Sequence, residues 1–274
     1  MQHRQIAFIG AGNMSRSIIM GLVRSGYPAT HITAANPSRP KLDALAQECG
    51  IRITQDNAEA ARQAEVIVLA VKPQLMAQML TDLLAQLGSL EGKLLVSIAA
   101  GIKVERLAQM AGGHQRIVRC MPNTPALLGL GMTGLYAPAH LDAADRTFTE
   151  KMLQAVGQTL WVADESGING VIAAAGSAPA YFFLFMQAIC EEAERMGFSP
   201  EQARQLVQQT ALGAAAMVER NPDLALSQLR EQVTSKGGTT AEAIRTFQEQ
   251  GLMELTAHAM QAAVRRAGEM ESLF

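Results

Sequence analysis

The sequence predicts an α/β protein: a Rossmann-type, doubly wound parallel sheet in the N-terminal half, then an all-helical C-terminal half. Three observations carry that prediction. Up to residue 163, short apolar runs alternate with helical stretches, the mark of βαβ units and a parallel sheet. The first run ends in a glycine turn that opens a helix. Beyond about Asp164 no strand pattern recurs, so the domains are expected at 1–163 and 164–274.

Taken in order, "QIAFIG" (5–10) is a β-branched and aromatic strand, followed by a helix from about Met14 to Ser25. "HITAAN" (31–36) is a second strand. "EVIVLAVKP" (65–73) is apolar throughout, as a central parallel strand covered on both faces must be. "KLLVSIAAG" (93–101) and "RIVRCMPN" (116–123) repeat the pattern, and "GMTGLYA" (131–137) and "GQTLWVA" (157–163) close the sheet. In the second half, Tyr181–Met196, Pro200–Arg220 and Leu252–Ala267 read as helices, with Ser199 and Pro200 placed as N-cap and first helical residue.

The chain has 274 residues, 49% of them hydrophobic and 18% charged, with a net charge of −2. This describes a globular core and argues against a nucleic-acid binder, which needs a basic bias. Cys49, Cys120 and Cys190 are far apart with no CxxC pair, so neither a disulfide framework nor a metal site is expected and the thiols fit the cytoplasm. Gly167 to Cys190 carries no charge and is long enough to span a bilayer. Because "GSAPAY" interrupts it, two buried helices joined at a turn are expected instead, with no membrane.

The chemistry starts at "FIGAGNMS". Gly10 allows the tight turn after the first strand, and Gly12 lets a pyrophosphate approach the backbone at a helix N-terminus. At the end of the second strand a dinucleotide site for NAD usually places a carboxylate on the ribose. Here Asn36, Ser38 and Arg39 stand instead, with Lys41 behind them, which favours a 2′-phosphate and hence NADPH over NADH. Lys72, with Pro73 at the carboxyl edge of the sheet, is either a cofactor contact or a strand-end lysine.

His3, His31, His114, His140 and His258 lie outside every motif, so the acid/base group a ketone or alcohol substrate needs is missing. An imine is different: once its nitrogen is protonated or hydrogen-bonded it accepts hydride, so a hydroxyl donor can suffice. In the helical half, "EQVTSKGGTTAEAI" (231–244) breaks one helix and caps the next. A helix start of this kind, rich in free backbone N–H groups and hydroxyls, is also a natural anion site.

"GAGNM", "VKPQ", "VSIAAGI", "RCMPNTPA", "GSAPAYFF" and "VTSKGGTTAEA" occur in the order and spacing of the pyrroline-5-carboxylate reductase family, and the resemblance covers essentially the whole chain. It implies NADPH-dependent reduction of 1-pyrroline-5-carboxylate to L-proline. It also implies a helical dimerisation domain whose homodimers assemble into rings such as a decamer, with each active site completed by the partner's helices. On the substrate side it implies that Ser235, Gly237, Gly238 and Thr239 hold the carboxylate, that Thr240 faces the imine nitrogen as the catalytic hydroxyl, and that Glu219 lies near the substrate. The cofactor positions are Gly10, Gly12, Asn13, Met14, Asn36, Ser38, Arg39, Asn57, Ala70, Val71, Lys72 and Pro73, with Asn123 on the nicotinamide side. No metal is expected. Two positions depart from the family pattern: Ala178 replaces a glycine and Lys236 a proline. The rival readings are a 3-hydroxyacid-type dehydrogenase using Lys236 as acid/base, and a non-catalytic NADP(H) sensor.

Overall fold

A computed structural model describes residues 3–273. Eight strands form one sheet in the order β3-β2-β1-β4-β5-β6-β7-β8. In chain order the elements begin β1 (Ile6–Ile9), α1 (Asn13–Arg24), β2 (Ile32–Ala35), α2 (Arg39–Cys49), β3 (Arg52–Thr54), α3 (Asn57–Arg62), β4 (Val66–Leu69) and α4 (Pro73–Leu87). There follow β5 (Leu94–Ser97), α5 (Val104–Met110), β6 (Ile117–Met121), β7 (Gly131–Tyr136), α6 (Ala143–Gln154) and β8 (Gly157–Trp161). The sheet is parallel from β3 through β6, and β1 lies between β2 and β4, where the winding direction reverses.

Both faces of the sheet are covered. Ile6 and Phe8 of β1 face a layer that includes Ile18, Leu22, Leu42, Leu45, Phe148 and Met152. Ala7 and Ile9 face the opposite layer, with Ala58, Met76, Leu80, Leu83 and Leu107. This is why the central strands carry no polar alternation. The expected strands all form. Strand β3 was not expected: "RIT" is three residues long and its Arg52 is exposed, so it carries almost no hydrophobic signal. Strand β7 runs antiparallel to β6. Only residues 122–130 join the two, including the 3₁₀ turn Thr124–Leu128, and that length is too short for a parallel crossover.

A buried carboxylate braces the amino edge. Asp145, on α6, accepts from Arg4 Nη1 at 2.7 Å and from Arg116 Nε and Nη2 at 3.0 and 2.8 Å. Arg4 also stacks over Phe148, 4.7 Å from the ring centre.

The remaining helices are α7 (Gly167–Val171), α8 (Ala178–Arg195), α9 (Pro200–Arg220), α10 (Leu226–Gln232), α11 (Thr239–Glu249) and α12 (Leu252–Glu271), with a π-helical turn over Ile172–Gly176. Contacts divide the described residues into one unit of 3–177 with 263–273, and a second of 178–262. This division by contacts falls at 177/178, whereas the expected change from strands to helices lies at 163/164. Residues 164–177 belong with the sheet because Glu165 accepts the Val104 N–H at 2.7 Å and Asn123 Nδ2 donates to Ala175 O at 3.1 Å.

In the helical unit, α9 opens with a capping box: Ser199 Oγ accepts from the Gln202 amide, and Gln202 Oε1 accepts from the Ser199 amide. Helix α8 packs on α9, and Phe185 meets Phe247 of α11 with ring centres 5.9 Å apart. The expectation of two buried helices over Gly167–Cys190 is corrected here. Gly167–Arg195 is a helical run long and apolar enough, by length and composition, to cross a membrane, yet only 22% of its most apolar window is buried within the chain. Phe182, Phe183 and Leu184 are each more than 60% exposed.

Candidate dinucleotide site and carboxylate loop

The dinucleotide turn is built tightly. Gly10 has φ +107°, and a Cβ there would lie 2.6 Å from Ala70 O, so only glycine fits. Its N–H donates to Ala35 O at 2.8 Å and its carbonyl accepts from the buried Ser15 hydroxyl at 2.6 Å. Gly12 is the N-cap of α1 and has no side-chain cap; a Cβ at Gly12 would meet no protein atom within 4 Å. The backbone at the start of α1 is therefore open to an anion, and the helix dipole favours one there. Asn13 is exposed and Met14 half-buried on the first turn of α1.

The end of β2 lies beside this turn. Asn36 Oδ1 accepts the Ala11 N–H at 3.2 Å, and its Nδ2 donates to Ser38 O at 3.2 Å. The Asn36 amide thus holds the glycine turn and the β2–α2 loop in one arrangement. Asn36 was expected beside the 2′-phosphate with Ser38 and Arg39; this bracing role was not foreseen, because no local pattern reveals it. Ser38 is the exposed N-cap of α2, and Arg39 is the helix's first residue. The Arg39 guanidinium is exposed and pairs with Asp43 at 2.8 Å, one turn along. Surface pairs of this kind contribute ~0.3–0.5 kcal/mol, so Arg39 turns towards a phosphate at little cost.

Asn57 begins α3 behind its N-cap Asp56, whose carboxylate accepts from the Ala58 and Glu59 amides. Ala70 and Val71 follow β4 and back the glycine turn. Lys72 is the exposed N-cap of α4, and Pro73 is the helix's first residue.

Asn123 is buried, and both ends of its amide are engaged: Oδ1 accepts from Met132 N at 2.9 Å and Nδ2 donates to Ala175 O. It fixes the segment after β6 against β7 and the π-helical turn. That turn is defined by Ser177 N donating to Ile172 O at 2.7 Å. Cys120, just before this segment, is wholly enclosed, and burial drives its thiol far above the ordinary value. It is an inert core residue.

In the helical unit, Val233 to Gly238 form the expected break between α10 and α11. Gly237 takes a left-handed φ of +69°. Gly238 is the N-cap of α11 with no side-chain cap, and its N–H donates to Ser235 O at 3.0 Å. A Cβ on Gly238 would sit 2.5 Å from Ser235 Oγ, so the Ser235 side chain folds against that glycine. The first intrahelical bond runs from Glu242 N to Gly238 O. The amides of Thr239, Thr240 and Ala241 precede it and point out of the helix start. Thr240 is half-buried, whereas Ser235, Lys236 and Thr239 are exposed. Glu219 is exposed in the last turn of α9.

A sheet reversing at β1, with an open glycine turn at its carboxyl edge, defines a dinucleotide-binding protein. Residues 5–101 match the family described as NADP oxidoreductase, coenzyme F420-dependent, and residues 165–270 match pyrroline-5-carboxylate reductase dimerisation. The chain is 58% identical to a pyrroline-5-carboxylate reductase of Vibrio alginolyticus, covering 100% of both chains. It superimposes on a pyrroline-5-carboxylate reductase from Coxiella burnetii with a TM-score of 0.93 and 41% identity, covering 98% of this chain and 99% of that one. A Plasmodium falciparum pyrroline carboxylate reductase with NADP bound gives a TM-score of 0.85 at 26% identity, covering 99% of each. The chain belongs to the pyrroline-5-carboxylate reductase family.

Proposed function

We propose that this protein reduces 1-pyrroline-5-carboxylate to L-proline with NADPH, the last step of proline biosynthesis. The observation that carries this reading is the start of α11, an uncapped helix N-terminus bearing Thr239 and Thr240 in a family whose members are named for this reaction. The bound cofactor supplies a hydride to the imine carbon. The open backbone of Gly10–Gly12 receives its pyrophosphate, and Arg39 with Ser38 receives the 2′-phosphate. Asn36 and Asn123 act by holding the segments around them. On the substrate side, the amides of Thr239–Ala241 and the Ser235 hydroxyl hold the carboxylate, which the helix dipole favours. The Thr240 hydroxyl donates a hydrogen bond to the imine nitrogen and keeps it oriented, and the proton that the nitrogen gains comes from solvent water. Rate then comes chiefly from holding donor and acceptor carbon in register.

The exposed apolar face of α8 supports a homo-oligomer through the helical unit, with dimers as the building block and a ring such as a decamer as the larger assembly. That covering also accounts for the apolar run without a membrane, and a cytoplasmic location fits the free thiols of Cys49, Cys120 and Cys190. The test is NADPH oxidation with 1-pyrroline-5-carboxylate, scored against proline formed. One proline per NADPH is expected, with NADPH used more efficiently than NADH. NADPH binding without turnover would favour a sensor, and hydroxyacid oxidation abolished by Lys236→Ala would favour the dehydrogenase rival.

A further inference from the structure

Arg119 heads the fully buried side chains, on a sheet-interior strand where an apolar residue is the rule. Its Nη1 donates to Glu165 Oε1 at 3.0 Å and stands 2.9 Å from Glu271 Oε1, an ion pair without an aligned hydrogen bond. Its Nη2 is shut off from solvent and has no hydrogen-bond partner among the described residues. Glu165 Oε1 also accepts the Val104 N–H, and Glu271 Oε2 lies 3.5 Å from Lys103 Nζ. Three segments therefore meet on one guanidinium, β6, the β8–α7 connection and the last turn of α12, and the two carboxylates carry the contact on to the start of α5.

Stability alone is a poor reason for this cluster, because apolar side chains of similar volume generally hold a core as well or better. A rigid, planar guanidinium gripped by two carboxylates does fix position. The place it fixes is specific. Arg119 lies in register with Ser97 of β5, at the carboxyl edge, two residues before Met121. The segment it leads into is tied down beyond by the Asn123 amide.

We propose that Glu271, in the last turn of α12, is a positioning residue for the nicotinamide side of the site. Acting through Arg119, it holds the end of β6 and the Met121–Asn123 segment in place. This rests on reading that segment as the nicotinamide side. Glu271 touches neither cofactor nor substrate.

The test is Glu271→Gln in the full-length protein, with Glu271→Asp as the second variant. The shorter Asp keeps the charge but draws it back by one methylene. In the cofactor-free protein, amide exchange over residues 117–123 should quicken about tenfold, while residues 6–9 and 32–35 stay as in wild type. A misplacement of this kind should lower kcat about three- to tenfold, with KM for NADPH within about twofold. The Asp variant keeps the test available if the Gln variant fails to fold. Wild-type exchange over 117–123 in a folded variant overturns the proposal. So does equal quickening through β1 and β2, which marks a purely structural role. Faster exchange at 117–123 with unchanged kcat overturns it too, and counts against the nicotinamide reading of Met121–Asn123 while leaving imine reduction by the wild type untouched.

Discussion

The sheet unit and the helical unit treat their apolar side chains in opposite ways. In β1, β4 and β5 every residue is buried, and both faces of the sheet are covered by helices of the same chain. In α8, which lies within the long apolar run Gly167–Arg195, Phe182 is 68% exposed and Leu184 67%. One unit buries its central strands within the chain; the other leaves an aromatic face exposed. Cofactor binding should accordingly respond to changes in single turns of one chain, and integrity of the helical unit should respond to association.

Breaking the sheet unit at its tightest turn should have the largest effect. Gly10→Val places a branched side chain at a left-handed φ and against Ala70 O, a strain of ~1–3 kcal/mol before ligand is considered. NADPH affinity, measured by fluorescence titration, should fall by about 10- to 100-fold, with the oligomeric state unchanged. Breaking the helical unit should do the reverse. Phe183→Glu in α8 removes ~1.5–3 kcal/mol of burial per protomer and adds a charge. Sedimentation should show smaller assemblies and melting should lose its concentration dependence, while NADPH binding persists. An unchanged oligomer would place the interface elsewhere.

The smallest expected effect is a pH effect confined to the sheet unit. Burial holds the His114 imidazole below its ordinary value, despite the carbonyl of Lys93 at 2.9 Å from Nε2. The unfolded chain then binds the proton more readily than the folded one, so stability is lost as pH falls below about 6.5. His114→Gln should flatten part of the melting-temperature decline between about pH 6.5 and 5 without altering turnover at neutral pH.

Much of this was legible because burial on both faces leaves a local mark. "EVIVLAVKP" could be little other than a central strand, and "FIGAG" placed the glycine turn in its context. Features set by distant partners left no such mark. "RIT" pairs as β3 through backbone bonds, the direction of β7 follows from a short connection, and Asn36 braces Ala11 from 25 residues away. The helical half misled in one respect: an apolar run implies that something covers it, and the covering need not come from the same chain. Within "TSKGGTT", the break and the new helix were foreseen from residue types alone; the left-handed Gly237 was not, and the roles assigned to its hydroxyls came from the family resemblance.

The contrast between the units meets in one residue. Thr240 lies in the helical unit, and the cofactor turn lies in the sheet unit, so a change at Thr240 should divide the kinetics cleanly. Steady-state turnover of 1-pyrroline-5-carboxylate by Thr240→Ala, alongside NADPH titration of the same protein, tests this directly. Loss of the hydroxyl donor should lower kcat about 10- to 100-fold with NADPH affinity within about twofold, and Thr240→Ser should recover most of the rate. Wild-type turnover in Thr240→Ala would contradict the account.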